Sequence, residues 1–304
     1  MKTLTFIGGS GFIGKSFIDS FNRGLLRKYE INTVNILCRN PKKLKKTKGI
    51  DLKKVRIIRA DISKIKHLPS SDIIIYAAES TENNAYKNKN LITTKHKAAI
   101  DNFCKIIKKN TKTKILYISS GSVNQRIKTN NGSNYYKKIY TQLKKYSENK
   151  IKELKNSNIK TSIARCYTFI GPWIPLRKHY AIGNFIYDGL CKKYIEVKSK
   201  KKVYRSFMYA DDLVDWLCKI ASNSNYTCPT YNVGSNKQIE IRKLALMIGK
   251  IFNKPVKIKK IFNTKIDKYV PNIEKTKNEL ELRINYDLIQ SINLTINQIN
   301  EKIH

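Results

Sequence analysis

Residues 3–14 read Thr3-Leu-Thr-Phe-Ile7 and then Gly8-Gly-Ser-Gly11-Phe-Ile-Gly14. The first five residues alternate β-branched and large apolar side chains, which indicates a strand. An amphipathic run follows the glycines and predicts a helix. Gly8 permits a tight turn, Gly11 lets the backbone approach a phosphate, and Gly14 lets the helix pack closely on the strand. The order strand, glycine turn, helix therefore predicts a cradle for a pyrophosphate at a helix amino terminus.

The same alternation continues along the chain. Apolar segments at 33–37, 55–59, 73–77, 114–118 and 160–164 predict further strands, and a lysine-bearing helix is expected at about 91–109. Strands that alternate with helices predict an α/β fold with a doubly wound parallel sheet, whose ligands bind at the carboxyl ends of the strands. Further on, we expect a helix at 239–252, a strand at 256–261 and a closing helix at 280–303.

The second strand ends in Cys38-Arg39, where a dinucleotide-binding sheet often carries a carboxylate for the ribose hydroxyls of NAD. A guanidinium at this place suits a 2′-phosphate, so Arg39 favours NADP over NAD, although it could also stack on adenine or face solvent. Asp61 follows the third strand and is a candidate acceptor for the adenine amino group. Ala77 and Ala78 follow the fourth strand and leave room for a cofactor.

A helix without Gly or Pro carries Tyr140 and, one turn later, Lys144. Both side chains lie on one face, and a nearby cation favours the phenolate of a tyrosine, whose reference pKa is about 10. Such a pair can move a proton on and off an alcohol. Tyr146 and Lys150 repeat the spacing, but Ser120, at a strand end, stands upstream of Tyr140 and favours the first pair.

Taken together, these motifs resemble the extended short-chain dehydrogenase/reductases of the nucleotide-sugar epimerase/dehydratase family. The resemblance runs over nearly the whole chain and includes the glycine turn, Ser119-Ser120, Tyr140/Lys144/Glu148, Arg165 with Gly171-Pro172, and a stretch from Arg205 to Asp212. It implies a Rossmann domain at 1–168 with a return at about 206–236. It also implies a smaller, interleaved α/β substrate-binding lobe at about 169–205 and 237–304.

The resemblance also assigns roles to residues. The expected catalytic residues are Ser120, Tyr140 and Lys144. The expected cofactor contacts are Gly8, Ser10, Gly11, Phe12, Ile13, Gly14, Arg39, Asp61, Ile62, Ala77, Ala78, Tyr140 and Lys144. The expected substrate contacts are Glu79, Ser120, Ser122, Thr168, His179, Asn184 and Arg205, with Arg205 on the substrate diphosphate. The implied cofactor is NADP, or else NAD, and the implied substrate is a nucleotide-activated sugar.

Departures from the family pattern narrow the expected reaction. Family 4,6-dehydratases carry an Asp-Glu pair after the hydroxyl residue, but here Gly121 and Ser122 stand in its place, and neither is an acid or base at neutral pH. We therefore expect a 4-keto reductase or a 4-epimerase, with a 4,6-dehydratase as the alternative. Thr168 and Lys95 replace two usual asparagines, and His179 is a candidate second acid/base.

Composition gives the remaining expectations. Hydrophobic residues make up 41%, so we expect a globular protein without membrane spans. The apolar opening meets Gly8 too early for a signal peptide, so we expect a cytoplasmic protein. We also expect a homodimer, as in the family. The six cysteines and four histidines lack metal-ligand spacing, so no metal is expected.

Sixty-one Lys and Arg against 22 Asp and Glu give a net charge of +39. The charge motivates a rival of another class, a Rossmann-fold RNA-binding protein with reduced catalysis, but its even spread argues against nucleic acid.

Overall fold

The structure is a computed structural model that describes residues 1–79, 88–108, 112–125, 133–178, 180–261 and 263–303. The chain forms two compact units. The first comprises residues 1–166 and 214–232, and the second comprises residues 167–213 and 233–304. The second unit's role in substrate binding stays a prediction.

The first unit alternates strands and helices. Its elements are β1 (Lys2–Ile7), α1 (Phe12–Asn22), β2 (Ile31–Cys38), α2 (Pro41–Lys45), β3 (Arg56–Arg59), β4 (Ile73–Tyr76), α3 (Lys89–Ile107), β5 (Lys114–Ser120), α4 (Ser133–Glu153) and β6 (Thr161–Cys166). Helix α2 was not predicted, and the elements with predicted bounds differ from them by one or two residues.

These strands build a seven-stranded sheet in the order β11-β6-β5-β4-β1-β2-β3, in which β11 is Thr230–Val233. All neighbouring strands from β6 to β3 run parallel. The strand order reverses beside β1, since β2 and β3 lie on one side of it and β4, β5 and β6 on the other. Ligands of such sheets bind at this switch point, outside the carboxyl ends of the strands. The predicted doubly wound fold is therefore confirmed.

The strands of this sheet are continuous apolar runs, because the sheet is covered on both faces. All four residues of β4 are buried, as expected for a central parallel strand. Tyr76 packs on Phe103 of α3 and on Tyr117 of β5, with ring centroids 4.8 and 5.9 Å apart. On α4, Ile139 and Leu143 are buried, and Ile151 reaches the main core cluster. The helix that carries Tyr140 and Lys144 is thus fixed by its apolar face.

The second unit contains shorter elements. They are β7 (Phe169–Ile170), α5 (Ala181–Cys191), β8 (Ile195–Val197), β9 (Lys201–Arg205), β10 (Met208–Tyr209), the start of α6 (Ala210–Ser222), β12 (Ile239–Glu240), α7 (Ile241–Ile251), β13 (Val256–Ile258), β14 (Asn263–Tyr269), α8 (Glu274–Leu280) and α9 (Leu288–Ile303). Three small sheets join β12-β9-β14, β10-β7 and β13-β8.

The closing helix predicted at 280–303 is wrong at its start. Helix α8 ends at Leu280, and Glu281 adopts a left-handed φ of 54°, which turns the chain away. Helix α9 begins at Leu288 behind a capping box: Asp287 Oδ1 accepts from Gln290 N at 2.8 Å, and Gln290 Oε1 accepts from Asp287 N at 3.0 Å. The pattern prediction also missed β14 and α8.

None of the six cysteines forms a disulfide, and five of them are buried. No helix within the described ranges combines the length and the apolar character needed to cross a membrane.

Asp212, in the first turn of α6, holds the turn before α9. Its carboxylate is 1% exposed and accepts hydrogen bonds from Asn285 N, Asn285 Nδ2 (2.7 Å) and Tyr286 N. We expect Asp212→Asn to lower the free energy of unfolding by about 2–3 kcal/mol, because an amide nitrogen would face these donors. Urea unfolding followed by circular dichroism measures the loss. Glu279→Gln, which breaks an exposed ion pair with Lys275, should change it by less than about 0.5 kcal/mol. Equal effects of the two changes would contradict this account of Asp212.

Candidate active site

The turn after β1 contains glycines for two different reasons. Gly8 has a φ of +103°, and an added Cβ would lie 2.6 Å from the carbonyl oxygen of Ala77. At Gly14 an added Cβ would collide with the backbone of Gly9. At Gly11 the nearest described atom to an added Cβ is Gly8 O, at 3.8 Å. The fold therefore requires Gly8 and Gly14, whereas the missing side chain at Gly11 keeps a space open.

That space lies at the amino terminus of α1. Gly11 is the N-cap residue and has extended backbone angles, and as a glycine it has no side chain to cap the first amides of the helix. The first amides of a helix lack partners within the helix and favour anions. Ser10, Phe12 and Ile13 flank the turn and are half-buried. A pyrophosphate fits this turn, because a side chain at Gly11 would occupy the approach that the anion needs.

The ends of β2 and β3 carry the residues expected near the adenosine. Arg39 is exposed, directly after the buried Cys38. Asp61 Oδ1 accepts from the backbone and the hydroxyl of Ser63, at 3.0 and 2.7 Å. The hydrogen bonds from Ser63, aided by the charge of Arg39, hold the pKa of Asp61 below its usual range. Ile62 is buried in the core, so its side chain packs inside the fold.

The chain leaves β4 in contact with the glycine turn. Ala77 N donates to Ile7 O at 2.8 Å, and Ala77 and Ala78 are half-buried. Glu79, a predicted substrate contact, is largely buried. Its side chain is 6% exposed, and its Oε1 accepts from the hydroxyl of Tyr117 at 2.8 Å. Its role as a substrate contact stays a prediction.

Ser120, Tyr140 and Lys144 come together at the carboxyl end of β5. Ser120 closes the strand, and its Oγ accepts from Ser122 N at 3.2 Å. Lys144 Nζ lies 5.8 Å from the centroid of the Tyr140 ring and 5.0 Å from that of Tyr117. Lys144 thus lies beside Tyr140 and against β5, the strand that Ser120 closes. The catalytic role of these three residues stays a prediction.

Lys144 is buried and held by two groups. Its Nζ donates to Ile118 O at 2.6 Å and lies 2.5 Å from Glu79 Oε2. An ammonium that is shielded from water needs such partners, because desolvation of an ion costs several kcal/mol. The cation that is expected to influence Tyr140 therefore has a carboxylate in direct contact.

Tyr146 lies in different surroundings, although it shares α4 with Tyr140. Its hydroxyl donates to both carboxylate oxygens of Asp101 on α3, at 2.8 and 2.9 Å. Burial and the hydrogen bond to Asp101 raise the pKa of Tyr146, so its proton is held more tightly than in a free tyrosine. Lys150 pairs with Glu153 at 3.1 Å. The second pair is part of the α3–α4 surface and is remote from the chemistry expected of Tyr140.

Glu148 anchors the helix that carries Tyr140. Its carboxylate is 2% exposed and receives two hydrogen bonds from Arg165 of β6, from Nε at 2.9 Å and from Nη2 at 2.7 Å. Ser119 Oγ donates to the same carboxylate at 2.5 Å. Arg165 Nη1 also donates to Asn124 at 2.6 Å. This network ties α4 to β5 and to β6. It therefore helps to fix the spacing between Ser120 on β5 and Tyr140 on α4.

Sequence reasoning missed His96. The neighbouring Lys95 on α3 was noted as the replacement of a usual asparagine. The His96 side chain, however, faces inward: its Nε2 lies 2.7 Å from Ser147 Oγ, and its Nδ1 lies 3.6 Å from Glu79 Oε1. Burial lowers the pKa of His96, which favours the neutral ring at pH 7. A signal was available, since residue 96 continues the helical spacing of the buried residues Ile100, Phe103 and Ile107.

Ser122 and the residues of the second unit stay predictions as substrate contacts. Ser122 is 4% exposed and accepts from Thr141 Oγ1 at 3.0 Å. Thr168 Oγ1 donates to Ser206 O, and Asn184 donates to Lys178 O at 2.8 Å. His179 lies outside the described residues.

Arg205 is already paired with a carboxylate. Its Nη1 lies 3.0 Å from Asp267 Oδ1, and Lys201 contacts the same carboxylate at 3.1 Å. Burial alone would raise the pKa of Asp267, but Arg205 and Lys201 lower it. A substrate diphosphate at Arg205 would have to compete with Asp267.

Comparisons with known proteins give the family and the fold of the chain. Among curated proteins, UDP-glucuronic acid decarboxylase 4 of Arabidopsis thaliana is 24% identical over 151 residues, which are 49% of this chain and 34% of that protein. The chain thus spans about a third of the length of the curated relatives it matches.

Solved structures share the fold at low identity. The UDP-glucose 4-epimerase of Thermotoga maritima, solved with UDP-glucose, gives a TM-score of 0.78 at 14% identity and covers 99% of this chain and 100% of its own. The Bordetella bronchiseptica enzyme WbmF, solved with NAD⁺, gives 0.77 at 18% identity and covers 99% of this chain and 93% of its own. The profile of the NAD dependent epimerase/dehydratase family matches residues 5–234. The chain belongs to that family.

Proposed function

We propose that this chain is an NAD(P)-dependent oxidoreductase that acts at carbon 4 of a nucleotide-activated sugar, as a 4-keto reductase or a 4-epimerase. One observation carries the proposal. Ser120, Tyr140 and Lys144 meet at the carboxyl end of β5, in the same unit as the glycine turn that ends β1. An acid/base group and a dinucleotide cradle on one sheet edge are the two parts that hydride chemistry at an alcohol carbon needs.

Each residue has a role that is consistent with its placement. The nicotinamide supplies the hydride exchange when the cofactor is bound. Tyr140 holds or releases the proton of the sugar oxygen through its phenol. Ser120 offers a hydroxyl at the strand end, which can orient that oxygen. Lys144 is proposed to bind the nicotinamide ribose and to supply a positive field next to Tyr140.

The proposed reaction also depends on the two residues next to Ser120 in the chain. Gly121 and Ser122 provide no carboxylate beside the end of β5, and the Ser122 hydroxyl accepts a hydrogen bond from Thr141. Elimination of water across carbons 5 and 6 requires an acid and a base at that place. The proposal therefore leans to reduction or epimerisation rather than to 4,6-dehydration.

A substrate panel tests the reaction class. We expect turnover with either a 4-keto-6-deoxy nucleotide sugar and NADPH or UDP-glucose with NAD⁺. Stoichiometric loss of nicotinamide absorbance indicates a reductase, whereas conversion of UDP-glucose without net reduction of cofactor indicates an epimerase. UDP-glucuronic acid is included because curated relatives are named as its decarboxylases. Release of CO₂ from it, or dehydration of the hexose, would contradict the proposal.

Tyr140→Phe tests the acid/base assignment. The change keeps the ring that packs beside Ile139 and Leu143 and removes the titrating oxygen. We expect turnover to fall by about 10²–10⁴ while cofactor affinity stays within about twofold. Tyr146→Phe is the matched control on the same helix and should leave both nearly unchanged. An inactive Tyr146→Phe beside an active Tyr140→Phe would reverse the assignment.

The proposed preference for NADP depends on Arg39. β2 ends without a carboxylate, and the exposed Arg39 stands where a 2′-phosphate would be bound. Arg39→Asp should lower the ratio of NADP to NAD affinity by about 10–100-fold, because a carboxylate repels the phosphate. Fluorescence titration with each cofactor measures the ratio. Arg56→Asp makes the same charge change at the amino end of β3, on the opposite sheet edge, and should leave it unaltered. Equal binding of both cofactors by the wild type would overturn the preference.

A further inference from the structure

Glu79 occupies a position that a ligand-binding role does not explain. Its backbone N donates to Ala77 O at 3.0 Å, immediately after β4, yet its side chain is 6% exposed. Tyr117 donates a hydrogen bond to Oε1, and Lys144 lies at Oε2. This carboxylate therefore contacts the lysine that is expected at the active site. Its buried position is held by side chains from β5 and α4.

The other titratable groups around this pair are neutral or engaged with other partners. On β4 and β5, burial raises the pKa of Tyr76 and of Tyr117, so both phenols stay neutral. On β6, burial raises the pKa of the Cys166 thiol to about 12. On α3, burial favours neutral His96, and Asp101 is engaged by Tyr146.

Within the described part of the chain, Glu79 is therefore the carboxylate in direct contact with Lys144. The two charges lie 2.5 Å apart, so at Tyr140 their fields have opposite signs and partly cancel. We propose that Glu79 is a positioning residue for Lys144, which fixes the ammonium and offsets its field, so that the pair rather than the lysine alone sets the proton affinity of Tyr140.

This inference rests on the proposed function only in taking Tyr140 as the acid/base. Its geometry is supported by the side chains that hold Glu79. Ser147 on α4 lies 2.7 Å from His96 Nε2, and the His96 ring approaches Glu79 Oε1 at 3.6 Å. With Tyr117 at Oε1 and Lys144 at Oε2, the carboxylate is held by side chains from β5, α3 and α4. A defined place is what a fixed electrostatic effect requires, because solvent or motion would otherwise screen it.

Titration of Tyr140 in the full-length protein tests the proposal without any substrate. Tyrosines labelled with ¹³C at Cζ are followed by NMR as the pH is raised, and the Tyr140 resonance is assigned by its loss in Tyr140→Phe. Glu79→Gln keeps the size and removes the negative charge, so the uncompensated ammonium should lower the Tyr140 midpoint by about one pH unit. Glu79→Asp keeps the charge, and its midpoint should stay within about 0.5 unit of wild type. A merely structural role would give no such difference between the two variants.

A midpoint in folded Glu79→Gln that is unchanged or higher would overturn the proposal. If the single variant does not fold because a buried cation is left unpaired, the double variant Glu79→Gln/Lys144→Met decides, since it buries no charge. A midpoint within about 0.5 unit of wild type supports compensation, and a rise of about one unit or more refutes it. Lack of turnover with every nucleotide sugar would count against the proposed function alone, because the titration needs no reaction.

Discussion

The burial of one ammonium group constrains the site more than any other interaction. Lys144 is 4% exposed, so its charge must be satisfied from inside the protein. The carbonyl of Ile118 satisfies one donor, which fixes α4 against β5, and Glu79 satisfies the charge, which fixes the end of β4. Tyr140 is carried on the same helix one turn earlier. The distance between the phenol and the strand ends therefore depends on a charge that cannot leave its position without a large cost.

Local and periodic features of the fold were predictable from the sequence. The parallel strands appear as short apolar runs, because a strand covered on both faces has no polar side. The glycine turn was predictable since two of its glycines are imposed by backbone contacts, at Ala77 and at Gly9. The helix of Tyr140 and Lys144 was predictable from its length without Gly or Pro. Each of these signals lies within a few residues of the feature that it predicts.

Features that depend on partners far along the chain were not predictable. The break between α8 and α9 was not predicted, and the turn there depends on Asp212, whose carboxylate accepts from Asn285 N, 73 residues further along the chain. The inward orientation of Glu79 depends on Tyr117 and Lys144, which come from β5 and α4. The two Tyr-x-x-x-Lys pairs look alike in sequence. The sequence separates them only through Ser120, upstream of Tyr140. The contact of Tyr146 with Asp101 of α3 depends on residues far apart in the chain and was not predictable.

The high positive charge and the buried acids belong to two different electrostatic regimes. The chain has 61 Lys and Arg against 22 Asp and Glu, so basic residues greatly outnumber acidic ones. The acids that are buried nevertheless have precise contacts: Glu148 with Arg165, Asp188 with Lys192 at 2.6 Å, and Asp212 with the Asn285 amides. An exposed lysine is screened within about 8 Å at physiological salt, whereas a buried pair is not. The surface excess therefore acts on encounters with anionic ligands, and the few buried carboxylates determine the local fields in which any chemistry takes place.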